Sequence, residues 1–295
     1  MEELSNEVIT LKVSSIGAEM TSIYGKKSMR EYLWQGDAAY WGRQSPTLFP
    51  QVGGLWDGEC RFNNEVYHIK KHGFASDTQF ECIRREKNSL CYRMADTEET
   101  RKSFPFAFEL ESTFSLDNNV VEVLWTVHNP NKEDMPFHIG GHPGLVYPGF
   151  NAEEKIHGYF RFDSNEAPES ASVGRKGCLG PERYKLNLQD DGLLPITDEC
   201  FSNDAIILDR NQVHRIELLD RDKKPVATVE SQAEVTLLWS PYGINAPFVC
   251  VEPWYGLCDS EDYHGEFKDR PYTNIVPAGG CWQAGFTIIL EQETY

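Results

Sequence analysis

Basic residues are scarce in this sequence of 295 residues: 28 Lys and Arg stand against 46 Asp and Glu, a formal net charge of −18. So acidic a surface repels nucleic acid and anionic lipid, and neither is expected as a partner. Long apolar runs are also missing; none nears the ~18 residues of a membrane-spanning helix. The N-terminal stretch MEELSNEVITL has no cationic segment followed by an apolar one, so no secretory signal is read there and a cytoplasmic protein is expected. The eight cysteines (Cys60, Cys82, Cys91, Cys178, Cys200, Cys250, Cys258 and Cys281) include no C-x-x-C pair. A chain long enough to bury a full core needs no disulfide staples, so reduced structural thiols are expected at all eight. The sequence has no G-x-G-x-x-G in a βαβ context, no P-loop, no H-E-x-x-H and no G-x-S-x-G. No nucleotide cofactor and no metal are therefore expected.

Helical periodicity is the last absence. No window of eleven or more residues holds a 3.6-residue apolar period, and the best helical candidates are single turns near Trp41-Gly42 and Thr197–Cys200. Alternation with a period of two is present instead. Val120–His128 places Val121, Val123, Trp125 and Val127 on one face. Val8–Val13, Glu109–Phe114, Val226–Glu230, Glu234–Trp239 and Phe286–Leu290 also read as strands, and Phe248–Val251 has the same character. Turn signals separate them at Asp57-Gly58, Asn118-Asn119, Asn129-Pro130, Asp191-Gly192 and Pro277–Gly280. Many short strands without a linker or repeat predict one all-β domain over residues 1–295, a sandwich or barrel with very little helix. The polar stretch Asn151–Asp191 is expected to hold the long loops.

Three segments carry candidate chemistry. In Pro136–Leu145 (PFHIGGHPGL), His138 and His142 are four residues apart, but Gly140, Gly141 and Pro143 disfavour the helix that a helical metal site would need. If the segment is extended, both rings fall on one strand face, with Gly140 leaving that face open to a flat ligand. His138 is expected in the core or behind the site, and His142 in it. The second segment is Lys70–Ala75, with His72 before a glycine and an aromatic. The third is Val249–Gly256, where Glu252 ends an apolar strand beside Trp254 and Tyr255. A carboxylate there is costly unless paired or functional. Aromatic platforms beside a carboxylate suit a sugar, which has an apolar face and a hydroxyl rim. The other tryptophans (Trp34, Trp41, Trp56, Trp125, Trp239 and Trp282) are expected in the core. A carboxylate base and an imidazole acid suffice for proton transfer at oxygen.

Six stretches along the chain resemble the aldose 1-epimerase (galactose mutarotase) family: Gly17–Ile23, Leu33–Pro50, His72–Ala75, Gly140–Gly144, Asp204–Ile207 and Val251–Gly256. The resemblance implies a large antiparallel β-sandwich, the galactose mutarotase-like supersandwich, with a concave sugar-binding face. It implies Glu252 as the base on the anomeric hydroxyl and His142 as the acid on the ring oxygen. His72 would orient the sugar, and Asp204 would bind hydroxyls. Glu252 is then expected ionised and His142 protonated. Two positions depart from the family pattern: Gly54 and Ser76 stand where relatives often carry arginine. Arg43 remains, either facing the cleft or paired at the surface.

The expected activity is the interconversion of α and β anomers of a neutral aldohexose, by a monomer or homodimer whose partner is a small-molecule sugar. The competing expectations are a hexose-6-phosphate 1-epimerase, a carbohydrate-binding protein without turnover, and a zinc hydrolase on His72, His142 and Glu252.

Overall fold

The structure, a computed structural model, describes residues 1–164 and 166–293. Among them the strands form two large antiparallel sheets and smaller ones, including a four-stranded N-terminal sheet built from Glu2–Ser5 to Arg30–Glu31. Among the described residues the α-helical content is one turn, Glu98–Arg101, capped by Thr97 through a reciprocal bond with Thr100. Of the two helical candidates, Asp198–Phe201 is a 3-10 turn, whereas Trp41-Gly42 follows a turn at 38–40 and is not helical.

The nine-stranded sheet contains the alternating segments Glu109–Phe114, Val120–His128, Val226–Glu230 and Phe286–Leu290, whereas Val8–Val13 falls largely in the four-stranded sheet and Glu234–Trp239 in a second large sheet. Glu109–Asp117 and Val120–His128 form a hairpin in full register, from Glu109 opposite His128 to Asp117 opposite Val120. Asn118, at its tip, has a φ of 52°, a conformation asparagine tolerates in such turns. Val121, Val123, Trp125 and Val127 are all buried, as the period of two requires.

The second sheet has eight strands with Phe248–Tyr255 near its middle, flanked by Val235–Trp239 on one side and by Ile139–Gly141 and Gly144–Val146 on the other. Every residue of Phe248–Tyr255 is buried, because both of its faces are covered. Val249, Val251 and Tyr255 join the main core, shared with Trp125 and Phe286 of the nine-stranded sheet. Phe248, Cys250 and Trp254 point the other way, into two smaller apolar clusters under the concave face. That second face carries the cavity.

The stretch Asn151–Asp191 departs in part from expectation. It contains the strands Gly158–Phe162, Glu169–Val173 and Leu179–Lys185 between its loops. Leu179–Lys185 is the edge of the eight-stranded sheet and mostly solvent-facing, so its side chains carry no apolar alternation to read.

Candidate active site

The ladder of the eight-stranded sheet brings two distant segments together. Gly140 pairs with Trp254 and Gly144 with Cys250. The same register sets His142 opposite Glu252, at the break between two short strands that both pair with Phe248–Tyr255. Pro143, which has no N–H to give to a ladder, sits at that break and accepts from Val251 N instead. The result is a pair whose His142 Nε2 lies 3.2 Å from Glu252 Oε2, with the glutamate 1% and the histidine 8% exposed.

Aromatic rings fix the imidazole. Trp41 stacks on His142 with centroids 4.7 Å apart, and Trp239 meets it edge-on at 5.7 Å. His72 approaches edge-on at 5.6 Å and touches Trp254 at 5.7 Å. Trp41 and Trp239, expected in the core, therefore line the cavity, while Trp34 and Trp125 are buried as expected.

His72 is held by Gly53, whose carbonyl accepts from His72 N at 3.0 Å and whose N–H donates to His72 Nδ1 at 3.1 Å. With Nδ1 accepting, the neutral ring carries its proton on Nε2. His72 has a φ of 67°, and a Cβ on the following Gly73 would fall 2.1 Å from Phe49 O. Only glycine fits at position 73.

Burial dominates the electrostatics. It drives the His72 ring well below the usual histidine range, helped by His142 and Lys71. It lowers His142 to about 3, against a backbone hydrogen bond of its own residue, with Lys71 adding to the fall. It raises the Glu252 carboxyl well above the usual carboxylate range; Lys71 opposes and Asp204 adds to this rise, while the Trp254 indole pulls down. That indole N–H is buried and makes no well-formed hydrogen bond. Burial thus disfavours the charged form of both groups and favours a neutral pair. This reverses the expected charge assignment, because desolvation at both groups outweighs their mutual attraction.

The remaining candidates surround the pair. Asp204 and Arg43 line the same cavity, of about 400 Å³, as do Lys70, Lys71 and Ser76. Arg43 is also paired: it bonds the Asp77 carboxylate, donates to Ser76 O at 3.1 Å and lies 3.7 Å from Glu19. It thus brings a guanidinium to the cavity rim beside Ser76. Lys70 is tied to Asp77 as well.

His138 does not share the cavity with His142. The chain leaves one sheet for another at this residue: Met135–Phe137 pairs with Asn274–Val276, and Ile139–Gly141 with Phe248–Tyr255. His138 is fully buried against Phe267, with Nε2 3.0 Å from Thr273 Oγ1. Nor does Gly140 leave room for a ligand. A Cβ there would lie 2.8 Å from the Trp254 ring, so the glycine makes room for the indole.

A family model described as aldose 1-epimerase matches residues 2–267. The chain belongs to the aldose 1-epimerase family. It is an enzyme of the isomerase class, with a sugar epimerase or mutarotase-like role. Protein LacX of Lactococcus lactis subsp. lactis, in plasmid and chromosomal forms, is 30% identical over 93% of this chain and 94% of its own. A galactose mutarotase related enzyme from Lactobacillus acidophilus is 31% identical and superposes with a TM-score of 0.91 over 99% of this chain and 98% of its own. A galactose mutarotase-like protein from Lactobacillus casei, 25% identical, gives 0.92 over 98% and 99%.

In this epimerase the cavity unites all six residues expected at the site, Arg43, His72, His142, Asp204, Glu252 and Trp254. The competing zinc triad of His72, His142 and Glu252 is a different matter, because His72 Nδ1 is occupied by the Gly53 N–H. The group of metal-type donors that does converge, among the described residues, is His142, Cys250 and Glu252. By sequence Cys250 reads as a structural thiol in an apolar strand. Its position two residues before Glu252 on one strand was the available signal. No helix among the described residues is long and apolar enough to cross a membrane.

Proposed function

We propose that the protein interconverts the α and β anomers of a neutral aldohexose by opening and reclosing the pyranose ring. The observation that carries this reading is the His142–Glu252 contact of 3.2 Å at the floor of an indole-lined cavity. The cavity volume, about 400 Å³, is within the range of roughly 300–1,000 Å³ usual for small-molecule sites. The half-buried indoles of Trp41 and Trp239 and the buried one of Trp254 offer the apolar faces against which a pyranose packs.

Ring opening needs a proton removed from the anomeric hydroxyl and one delivered to the ring oxygen. The pair holds one proton. Shifting it from Glu252 to His142 makes a carboxylate base and an imidazolium acid without changing the total charge. Glu252 then takes the anomeric proton as His142 protonates the ring oxygen. Rotation of the aldehyde and the reverse transfers complete the cycle. His72 Nε2–H donates to a sugar oxygen near the ring, and Asp204 accepts from hydroxyls at the rim. Neither step calls on a metal.

The cavity's cations favour a neutral substrate over its 6-phosphate. Arg43 and Lys70 are engaged by Asp77, which leaves Lys71 as the one cavity cation without an ion pair among the described residues. Asp77, Asp204 and Glu252 line the same space. A phosphate carries close to two negative charges and favours bidentate guanidinium partners. The test is anomer exchange, followed by polarimetry or NMR, with glucose, galactose and glucose 6-phosphate at fixed ionic strength. The neutral sugars should show the higher kcat/KM. A tenfold or larger preference for the phosphate would overturn the reading and point to Arg43, Lys70 and Lys71 as its cradle.

A further inference from the structure

The proton-transfer pair has a third neighbour that ring opening does not use. Cys250 lies two residues before Glu252 on the Phe248–Tyr255 strand, so both side chains leave the same face. The thiol is fully buried, next to Trp34 and Phe248. A nitrogen of His142, the sulfur of Cys250 and a carboxylate oxygen of Glu252 all lie within 4.8 Å of one another. A second observation points to an unfilled coordination need: Glu252 Oε2 is buried and, although 3.2 Å from His142 Nε2, makes no well-formed hydrogen bond. Such atoms are costly in a finished core.

We propose that His142, Cys250 and Glu252 form a binding site for a zinc-class divalent cation, and that the bound ion switches the epimerase off. The chemistry of the donors selects the ion. Imidazole, thiolate and carboxylate form a mixed nitrogen, sulfur and oxygen set that suits zinc and cadmium, while magnesium and calcium require oxygen shells. In a tetrahedral zinc site with bonds of about 2.0–2.3 Å, neighbouring ligand atoms are roughly 3.3–3.8 Å apart. The His142–Glu252 separation of 3.2 Å already has that bite, and the Cys250 sulfur, within 4.8 Å of both, has to draw in by no more than about 1–1.5 Å to reach it. The thiolate and carboxylate together cancel the charge of a dication, so the buried site gains no net charge. The fourth position opens onto the cavity, where water or a sugar hydroxyl completes the shell. Metal and sugar then compete, because the ion occupies both groups that must move protons.

The inhibitory half of this inference rests on the proposed anomerase; the binding half does not, and the experiment separates them. Cys82 and Cys281 are exposed, so both are first replaced by serine to remove adventitious thiols. The chelator-treated Cys82→Ser/Cys281→Ser protein is titrated with cadmium chloride, and the thiolate-to-cadmium charge-transfer absorption is read. One equivalent should saturate the band, and adding Cys250→Ala should abolish it. In parallel, zinc chloride should inhibit anomer exchange, with the half-inhibitory concentration raised tenfold or more in Cys250→Ala. That variant should keep the metal-free activity, and Cys250→Ser, which preserves side-chain volume, controls for packing. Saturating sugar should raise the half-inhibitory zinc concentration in the parent protein. A cadmium band that survives Cys250→Ala, or equal zinc inhibition with and without the thiol, overturns the site. A protein with the cadmium band but no anomerase activity would sink the proposed function and leave the metal site standing.

Discussion

Lys71 is exposed at the cavity mouth, yet its charge reaches His72, His142 and Glu252 together. Burial sets the direction of each shift, and the ammonium adds a downward pull on all three. Lys71→Met should therefore move the whole kcat/KM profile to higher pH, and Lys71→Arg should leave it in place. The effect should shrink with added salt, since Lys71 is in contact with solvent. Titrating activity at two ionic strengths checks this, and an unmoved profile at low salt would show that Lys71 is only a rim residue. Glu252→Gln and His142→Asn should each cost about 10²–10⁴-fold in kcat, the usual contribution of a general acid or base. His138→Asn should cost less, because its ring meets Thr273 and Phe267 rather than the cavity. Single-turnover rates on folded variants would reveal a reversed order of the two histidines.

At the scale of the strand, the interruption between Ile139–Gly141 and Gly144–Val146 aims His142, and the bare backbone at Gly140 seats Trp254. Gly140→Ala should displace the indole, because a Cβ there would also lie 3.0 Å from Pro253 O. The expected outcome is a raised KM with a smaller change in kcat, together with altered tryptophan fluorescence. Unchanged KM would mean that Trp254 is not a sugar platform. Much of this level was legible in the sequence. Val120–His128 was read to its exact ends, because one face is core and the other is more open. Phe248–Tyr255 showed less alternation, since its second face is a cavity lined with apolar groups. Trp41 and Trp239 were misplaced for a related reason: half-buried indoles around a pocket have the composition of a core. The sequence suggests both histidine rings on one strand face; the change of sheet at His138 that separates them is encoded by no local pattern.

For the molecule as a whole, the buried histidines predict sensitivity to acid. Burial lowers His138 to about 3, with the Arg270 charge adding to it, and drives His72 well below its usual range. The folded state thus refuses protons that the unfolded chain accepts below about pH 6.5. Stability from these groups is complete above that pH and is lost as pH falls toward the folded values. For His138 the slope is about 1.4 kcal/mol per pH unit. Urea midpoints should fall steadily from pH 6.5 to pH 4.5, and His138→Gln should flatten the slope by one proton. An unchanged slope in that variant would show that His138 is not held neutral. The ladder that joins His142 to Glu252 has a temporal consequence as well. The hairpin Glu109–His128 closes over a short loop and can form early, whereas the site waits for segments more than a hundred residues apart to meet. During refolding, β-sheet circular dichroism should therefore return ahead of turnover, and regained activity would serve as a clock for the slowest strand pairing.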